Sequence, residues 1–394
     1  MPRVPRMASF IAGDYSLDMN DLLPHLQQQL PEALSFLEQM VSMESPSPDK
    51  LLVDLFARFT GSKFQEAGGE VDYVPASGFG DHLRVRFTSK SKDRILLLGH
   101  TDTVWPAGEI QKRPFRIDGG RALGPGVFDM KAGILLMWMA VGALKRIRGG
   151  FSKSVSILLT SDEEIGSNSS RALIESEASQ CQAVFVLEPS LPGGVLKTAR
   201  KGVGRFTVKA IGKAAHAGID PAKGINAIEE LSRQIIKLHT MTVMGRGTTV
   251  TVGVAQGGTR SNVVPAEAVA EVDVRIASVE EAARITAAIE GLSPELPGAR
   301  LEIRGSINRP PMERTVETER LFEIAKKIAS RMGIDLKEGS TGGASDGNLT
   351  SALGIPTLDG LGAIGDGAHA VDEWVDVESL PHRAALIAEL IDTA

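Results

Sequence analysis

The chain has one cysteine, Cys181, in 394 residues, and aromatic residues make up only 5% of it. A single cysteine excludes an internal disulfide framework and a zinc site made of several thiolates, so any metal must be held by imidazole and carboxylate. The net charge of −6 offers no basic surface to nucleic acid or to an anionic membrane. No apolar run suggests a membrane span or a signal-peptide core. These absences predict a cytoplasmic protein that binds neither nucleic acid nor membrane, with a loose tail at its N-terminus.

The length and the order of apolar patterns predict two domains. In the first part, strand-like runs at 83–87, 95–98, 155–160 and 183–187 alternate with helical patterns at 22–41, 51–65 and 132–144. Strands that alternate with helices are typical of an α/β fold, here a mostly parallel sheet flanked by helices. The same pattern returns near the C-terminus, with helices expected at 316–331 and 384–391.

A different pattern separates these two parts. It has the order β-α-β-β-α-β, with strands at 205–211, 248–256, 268–276 and 300–304 and helices at 227–238 and 279–289. This order predicts a ferredoxin-like α+β domain that is inserted into the first domain. The expected boundaries are 1–198 for the first part of the catalytic domain, 199–311 for the insertion and 312–394 for the second part of the catalytic domain.

Five candidate metal ligands stand at the ends of expected strands or in the loops that follow them. They are His100, Asp129, Glu164, Glu188 and His369. If Asp129 is shared, this set gives three protein ligands to each of two zinc ions and leaves room for a bridging water, as in catalytic sites. Imidazole and carboxylate also accept Co²⁺ or Mn²⁺. Glu163 stands beside a ligand and needs no metal of its own, which suits a general base.

Each of these segments, taken singly, also has a simpler interpretation. His100 and Asp102 in LLLGHTDTV form either a ligand with the carboxylate that orients it or a solvated turn. Asp129 precedes an apolar helix and is also an ordinary helix N-cap candidate. Glu163 and Glu164 form an acidic pair that is more often a surface turn. The metal-site interpretation depends on all the segments converging.

Eight motifs occur in an order that resembles a known family. They are HTDTV, GPGVFDMKAG, TSDEEIGS, LEPS, GKAAHAG, SNVVP, GGASDGN and GDGAHAVDEW. Together they resemble the zinc-dependent metallopeptidases that include glutamate carboxypeptidase, aminoacylase, acetylornithine deacetylase, succinyl-diaminopimelate desuccinylase and peptidase T. The resemblance extends from about Leu22 to the C-terminus. It is closest to the glutamate carboxypeptidase branch, through Glu188 and the GLGAIGDGAHAVDEW segment.

The resemblance implies how the ligands are divided between the metals. His100 and Glu188 would bind one zinc, Glu164 and His369 would bind the other, and Asp129 would bridge the two. A cis peptide is implied directly after the bridging aspartate.

The resemblance also implies catalytic and substrate-binding roles. Glu163 would be the general base, and Asp102 would orient His100. The inserted domain would be a lid and a homodimerisation surface, from which His216 in GKAAHAG reaches the partner subunit's active site and stabilises the oxyanion. The residues implied to contact the substrate are Asn262 in SNVVP and Arg275 in DVR, at its free carboxylate, and Gly343 in GGASDGN, through its backbone.

The expected protein is therefore a dimeric two-zinc hydrolase that cleaves a peptide or amide bond next to a free carboxylate. Its substrate would be a small peptide or an N-acyl amino acid, with release of C-terminal glutamate as the leading expectation and deacylation of an N-acyl amino acid as the alternative. A non-catalytic carboxylate-binding protein on the same fold is the alternative of another class. Loss of Glu163 or of a ligand would indicate that class, and none of these residues is missing.

Overall fold

A computed structural model describes the backbone of residues 19–394 and the side chains of residues 21–394. The tail expected at the N-terminus lies outside the described residues. The helices are α1 (Met19–Ser42), α2 (Lys50–Glu66), α3 (Glu109–Lys112), α4 (Ala132–Arg148), α5 (Arg171–Ala178), α6 (Ala227–Thr240), α7 (Val279–Glu290), α8 (Val316–Arg331), α9 (Gly347–Ala352) and α10 (Leu380–Thr393). Each helix expected from the apolar pattern is present, and α3, α5 and α9 are additional.

The strands extend along most of the described chain. They are β1 (Glu70–Val74), β2 (His82–Phe87), β3 (Arg94–His100), β4 (Arg116–Asp118), β5 (Arg121–Leu123), β6 (Ser154–Thr160), β7 (Ala183–Val186), β8 (Leu196–Arg200), β9 (Gly202–Ile211), β10 (Thr249–Gly257), β11 (Glu267–Ile276), β12 (Arg300–Arg309), β13 (Glu338–Thr341), β14 (Thr357–Leu358), β15 (Gly365–Asp366) and β16 (Trp374–Asp376). The expected strands are all present, although β12 extends five residues further than the pattern indicated.

The central sheet has the strand order β1-β2-β6-β3-β7-β14. The four strands β6, β3, β7 and β14 are parallel, whereas β1 and β2 are antiparallel and form one edge. β3 is buried at six of its seven positions, as expected for a strand covered on both faces. The prediction of a mostly parallel sheet flanked by helices is confirmed.

The apolar helix α4 lies in the core of this domain and packs against α1 and α10. With the turn before it, the stretch Val127–Arg148 is long and apolar enough by composition to cross a membrane. The expectation that no such run exists is therefore wrong. In the structure 83% of its most apolar window is buried. The helix is apolar on all sides because packed neighbours surround it.

The insertion has its own antiparallel sheet, in the order β10-β11-β9-β12. Helices α6 and α7 pack on this sheet and enclose a separate apolar core that includes Phe206, Val208, Leu231, Val272 and Ile285. This is the ferredoxin-like arrangement that the β-α-β-β-α-β order predicts. The boundaries at 198/199 and 311/312 remain predictions.

A small sheet in the order β15-β16-β5-β4 was not expected from the sequence. Its central pairing joins Trp374 to Leu123 and Asp376 to Arg121, so the end of the chain lies beside a segment about 250 positions earlier. The loop between β15 and β16 carries His369, and β5 leads to Asp129. The small sheet therefore brings two candidate ligands together.

Candidate metal centre and active site

Three parallel strands present candidate residues at the same edge of the central sheet. His100 is the last residue of β3, Glu163 follows β6 and Glu188 follows β7. Because β6, β3 and β7 are parallel neighbours, their carboxyl ends meet at one edge, where α/β sheets bind ligands. Asp129 and His369 reach this edge from the loops joined by the small sheet.

The five candidate ligands converge. His100 Nε2 lies 3.2 Å from Asp129 Oδ1 and 3.3 Å from Glu188 Oε1. His369 Nε2 lies 3.3 Å from Asp129 Oδ2 and 3.2 Å from Glu164 Oε2. The two oxygens of Asp129 thus face two different histidines, which is the arrangement that a bridging carboxylate requires.

The chemistry of this cluster fits two divalent cations. Imidazole nitrogens and carboxylate oxygens are the ligands that zinc takes in catalytic sites. Glu164 Oε1 is buried and has no hydrogen-bond partner among the described residues, so it has an unused acceptor in a place where an unsatisfied polar atom is costly. Asp129 is followed by a cis peptide bond to Met130, as the resemblance implied.

His369 is displayed by an irregular loop. Its φ of 64° lies in the left-handed region, where non-glycine residues are uncommon and often functional. The amide of Ala370 donates to the carbonyl of Gly367 at 2.8 Å and closes the turn. Half of the His369 side chain is exposed, whereas His100 is buried. The centre therefore has an enclosed side and an open side.

Asp102 organises the centre in a way that differs in part from the prediction. His100 Nδ1 lies 2.8 Å from the Asp102 main-chain carbonyl and 3.5 Å from its carboxylate. The carbonyl is therefore the nearer partner of Nδ1, and this contact leaves His100 Nε2 free to bind a metal. The Asp102 carboxylate instead accepts from the amides of Glu163 and Glu164, both at 3.2 Å, and from the Ser47 hydroxyl at 2.7 Å. Its main contribution is to fix the turn that carries both acids.

Glu163 is held by Arg309, a residue to which the sequence assigned no role. Arg309 Nη2 donates to Glu163 Oε1 at 3.0 Å, while Nη1 donates to Asp346 Oδ1 at 2.6 Å. Burial raises the pKa of Glu163 well above its usual value, and the charge of Arg309 opposes this rise. A carboxyl group with a raised pKa and a fixed orientation suits proton transfer near neutral pH.

The two histidines of the cluster are more basic than a free imidazole. Hydrogen bonds with Asp129 and Glu164 raise the pKa of His369 to about 10. Burial would lower the pKa of His100, but its contacts with Asp102, Asp129 and Glu188 raise it well above the usual value. For both imidazoles the pKa is shifted upward, so binding of a cation to either ring competes with a proton.

Metal loading is expected to release protons. Since each protonated imidazole must lose one proton to bind, apparent zinc affinity should rise about tenfold per pH unit for each proton released, between about pH 6 and about pH 8. The rise should continue until the pH passes the pKa of about 10 of His369. Calorimetric titrations in two buffers of different protonation enthalpy measure the proton count. An affinity that does not change with pH would contradict this assignment.

Two of the predicted substrate-binding residues lie beside the metal centre. A cavity of about 270 Å³ is lined by Glu163, Glu164, Gly166, Val203, Arg205, Arg275, Asn308, Arg309, Gly343, Ala344 and His369. Arg275 projects from β11 of the insertion and donates to both oxygens of Asp273, at 2.9 and 3.0 Å. Its remaining nitrogen Nη1 lies 3.4 Å from the carbonyl of Gly342, beside Gly343. The inserted domain therefore forms one wall of the catalytic cavity.

His216 and Asn262 do not line this cavity within one chain. Both are exposed, and their loops are joined, since the Ala217 amide donates to the Asn262 carbonyl at 3.0 Å. The amides of Gly218 and Ile219 donate to His216 Nδ1, each at 3.1 Å. An Nδ1 that accepts two hydrogen bonds requires the proton on Nε2, so this imidazole presents an N–H donor to the outside.

Sequence reasoning also missed Glu373, which is buried. Its Oε1 accepts from Trp105 Nε1 at 2.9 Å and from the amide of Gly126. Trp105 follows the His100 segment, Gly126 precedes Asp129, and Glu373 follows His369. One carboxylate thus joins three loops that carry candidate ligands. The only signal in the sequence is the acid four residues after His369 in HAVDEW.

Comparisons with known proteins agree with this geometry. The family model described as Peptidase family M20/M25/M40 matches residues 96–393. Carboxypeptidase G2 of Pseudomonas sp. (strain RS-16) is 29% identical over 395 residues, which cover 97% of this chain and 94% of that protein. Succinyl-diaminopimelate desuccinylase of Rhodospirillum centenum is 27% identical, covering 79% of this chain and 84% of that protein. The crystal structure of aminopeptidase PepT from Bacillus cereus superposes with a TM-score of 0.77 at 24% identity, over 92% of this chain and 98% of that one.

The chain belongs to the M20/M25/M40 peptidase family, because the family model matches most of its length. It is an enzyme of the metallopeptidase and amidohydrolase class. The resemblance to this family and to its glutamate carboxypeptidase branch is confirmed. The individual roles of the site residues remain predictions that the geometry supports.

Proposed function

We propose that this chain is a two-zinc hydrolase that cleaves a peptide or amide bond next to a free carboxylate, in the manner of a glutamate carboxypeptidase. The observation that carries the proposal is the position of Asp129, whose two oxygens face His100 and His369 at 3.2 and 3.3 Å. The likeness to carboxypeptidase G2 over nearly the whole chain supports the same class of substrate.

The residues of the site would have the following roles in the reaction. When bound, the metal pair supplies Lewis acidity and lowers the pKa of a water molecule. Glu163, held by Arg309, takes the proton of the attacking water and passes it to the departing nitrogen. Arg275, with one nitrogen free of its pair with Asp273, binds the free carboxylate of the substrate. The Asp102 carboxylate keeps Glu163 in place by accepting a hydrogen bond from the Glu163 amide.

We propose further that the enzyme is a homodimer built through the lid, residues 199–311. β10 lies at the edge of the lid sheet with one neighbour, and an unpaired edge is a surface that proteins normally cover. Large apolar side chains are exposed on β10 and on α6, with Val254 46%, Ile228 41% and Ile236 68% exposed. A second subunit on this face would bury them. In such a dimer, His216 Nε2 and Asn262 would complete the partner's active site.

The deacylase alternative rests on the likeness to succinyl-diaminopimelate desuccinylase. Both classes hydrolyse an amide bond, and they differ in which side of the bond is recognised most strictly. The arginines in the cavity favour strict recognition of the part that carries the free carboxylate. The alternative of another class, a non-catalytic carboxylate-binding protein, is opposed by the family membership and by the presence of Glu163.

A panel of N-acyl and N-aminoacyl amino acids, varied separately on each side of the scissile bond, tests the proposed function. With zinc-loaded protein we expect kcat/KM to fall by about 10²-fold when the free α-carboxylate is replaced by the amide, because Arg275 loses its charged partner. Changes on the acyl side should have smaller effects. Stricter selection of the acyl group would identify a deacylase. Tight binding without hydrolysis of any member would contradict the proposed substrate class.

A further inference from the structure

The cavity beside the metal centre is lined by three arginines. Two of them form ion pairs with carboxylates of the chain. Arg309 donates to Glu163 and Asp346 at 3.0 and 2.6 Å. Arg275 donates to both oxygens of Asp273. Since a guanidinium stays charged in proteins, the charge that the cavity offers to a ligand depends on the third arginine.

The third arginine, Arg205, is not neutralised. It is exposed, and its side chain makes no hydrogen bond or ion pair with the described part of the chain. Its partner in the β9–β11 register is Asp273, and side chains of directly opposite residues share a face of the sheet. Asp273 would be the natural partner, but both of its oxygens are occupied by Arg275. Arg205 therefore brings an uncompensated positive charge to the cavity.

The two lid arginines stand in diagonal positions. Arg275 is two residues beyond Asp273 on β11, and Arg205 is opposite Asp273 on β9. Diagonal neighbours on one face of an antiparallel pair are about 7–8 Å apart, which long side chains can bridge toward one ligand. Two guanidinium groups at this spacing match a ligand with two carboxylates.

We propose that Arg205 is a specificity-determining residue that binds a second carboxylate, so that the part of the substrate bearing the free carboxylate is a dicarboxylic amino acid of the glutamate type. The inference rests on the proposed function, in which Arg275 takes the free α-carboxylate. Arg205 then takes the side-chain carboxylate as a bidentate partner. Glutamate separates its carboxylates by one more methylene than aspartate and therefore suits the diagonal spacing better.

Paired substrates with C-terminal glutamate or glutamine test the inference, because they differ only in the charged group. For zinc-loaded protein we expect kcat/KM to be about 10²-fold higher with glutamate. In Arg205→Met the glutamate value should fall by about 10²-fold while the glutamine value changes less than about threefold. Arg205→Lys should lie between the two, since lysine keeps the charge without the planar fork.

Arg300→Gln is the matched control. Arg300 is an exposed arginine of the same sheet, paired in register with Ile211 at the far end of β12, and it does not line the cavity. We expect its glutamate preference to equal that of the wild type. A loss of preference in this variant as well would show a general charge effect and overturn the role of Arg205.

The outcomes separate this inference from the proposed function. Equal rates with glutamate and glutamine, or equal losses for both in Arg205→Met, would overturn the inference while leaving a carboxypeptidase. Absence of any hydrolysis would overturn the proposed function. Calorimetric binding of glutarate and of its monoamide would then decide the inference by itself. The inference is supported if glutarate binds the wild type about 10²-fold more tightly than the monoamide does, while Arg205→Met binds the two with equal affinity. Equal affinity of the wild type for the two ligands contradicts the inference.

Discussion

Replacing Glu163 by glutamine is expected to lower kcat by about 10²- to 10⁴-fold while the zinc content stays unchanged. Glutamine has nearly the same shape and its amide oxygen can still accept the hydrogen bond that Arg309 donates at 3.0 Å. It has no carboxylate to take a proton, so proton transfer to the departing nitrogen is lost. Steady-state kinetics together with metal analysis of the same sample measure both quantities.

The metal content decides between two roles for Glu163. Its carboxylate lies in one group with His100 and Glu188, close enough for all three to hold an ion. Loss of a zinc equivalent in Glu163→Gln would make it a ligand rather than a base, and unchanged turnover would remove its catalytic role. Glu175→Gln is a suitable control, because Glu175 on α5 forms a pair with Arg171 outside the site. We expect this control to retain full activity.

The second large effect is expected for His216. Its imidazole lies outside the cavity of its own chain, so His216→Ala should lose turnover strongly while retaining zinc. A mixture of His216→Ala with Glu163→Gln should nevertheless regain activity. In a mixed dimer, the subunit with intact Glu163 receives an intact His216 from its partner. Random exchange between dimers then restores about a quarter of the sites.

Two comparisons make this experiment decisive. Each variant alone, at the same total concentration, should stay inactive. A mixture of Glu163→Gln with His369→Ala should also stay inactive, because both changes lie in the part of the site that one chain supplies. If subunit exchange has been demonstrated and the first mixture still regains no activity, His216 does not act in the partner's active site. It then acts within its own chain or has no catalytic role.

Local patterns predicted the main elements of the fold. Apolar periodicity depends only on residues that are close together in the sequence. It was therefore sufficient to predict the strands β3, β6 and β7 and the helices α1, α2 and α8. The two-domain order followed from the same patterns, since β-α-β-β-α-β leaves few alternatives. The chemical types of the candidate ligands could be listed from the sequence, because each follows a recognisable strand or glycine-rich turn.

Contacts between distant segments could not be predicted in this way. The pairing of β5 with β16 joins short strands about 250 positions apart, and three residues carry too little pattern to identify a strand. The contact of Arg309 with Glu163 spans 146 positions and depends on how the insertion returns to the catalytic domain. The same holds for Glu373, whose bond to Trp105 spans 268 positions. These contacts are set by tertiary packing.

Asp102 shows how a predicted residue can act through a different contact. The sequence placed its carboxylate against His100, because residues two apart on a strand point to the same side. The chain turns after β3, so the main-chain carbonyl of Asp102 faces the imidazole and the carboxylate is directed to the amides of Glu163 and Glu164. The alternation of side chains holds only within a strand, and Asp102 lies two residues beyond the end of β3.

The central claim is that His100, Asp129, Glu164, Glu188 and His369 hold two zinc ions between them. Anomalous diffraction at the zinc edge from crystals of the zinc-loaded protein tests it most directly. We predict two peaks in each subunit, one bound by His100 and Glu188, the other by Glu164 and His369, with Asp129 bound to both. A single peak, or peaks away from Asp129, would contradict this account.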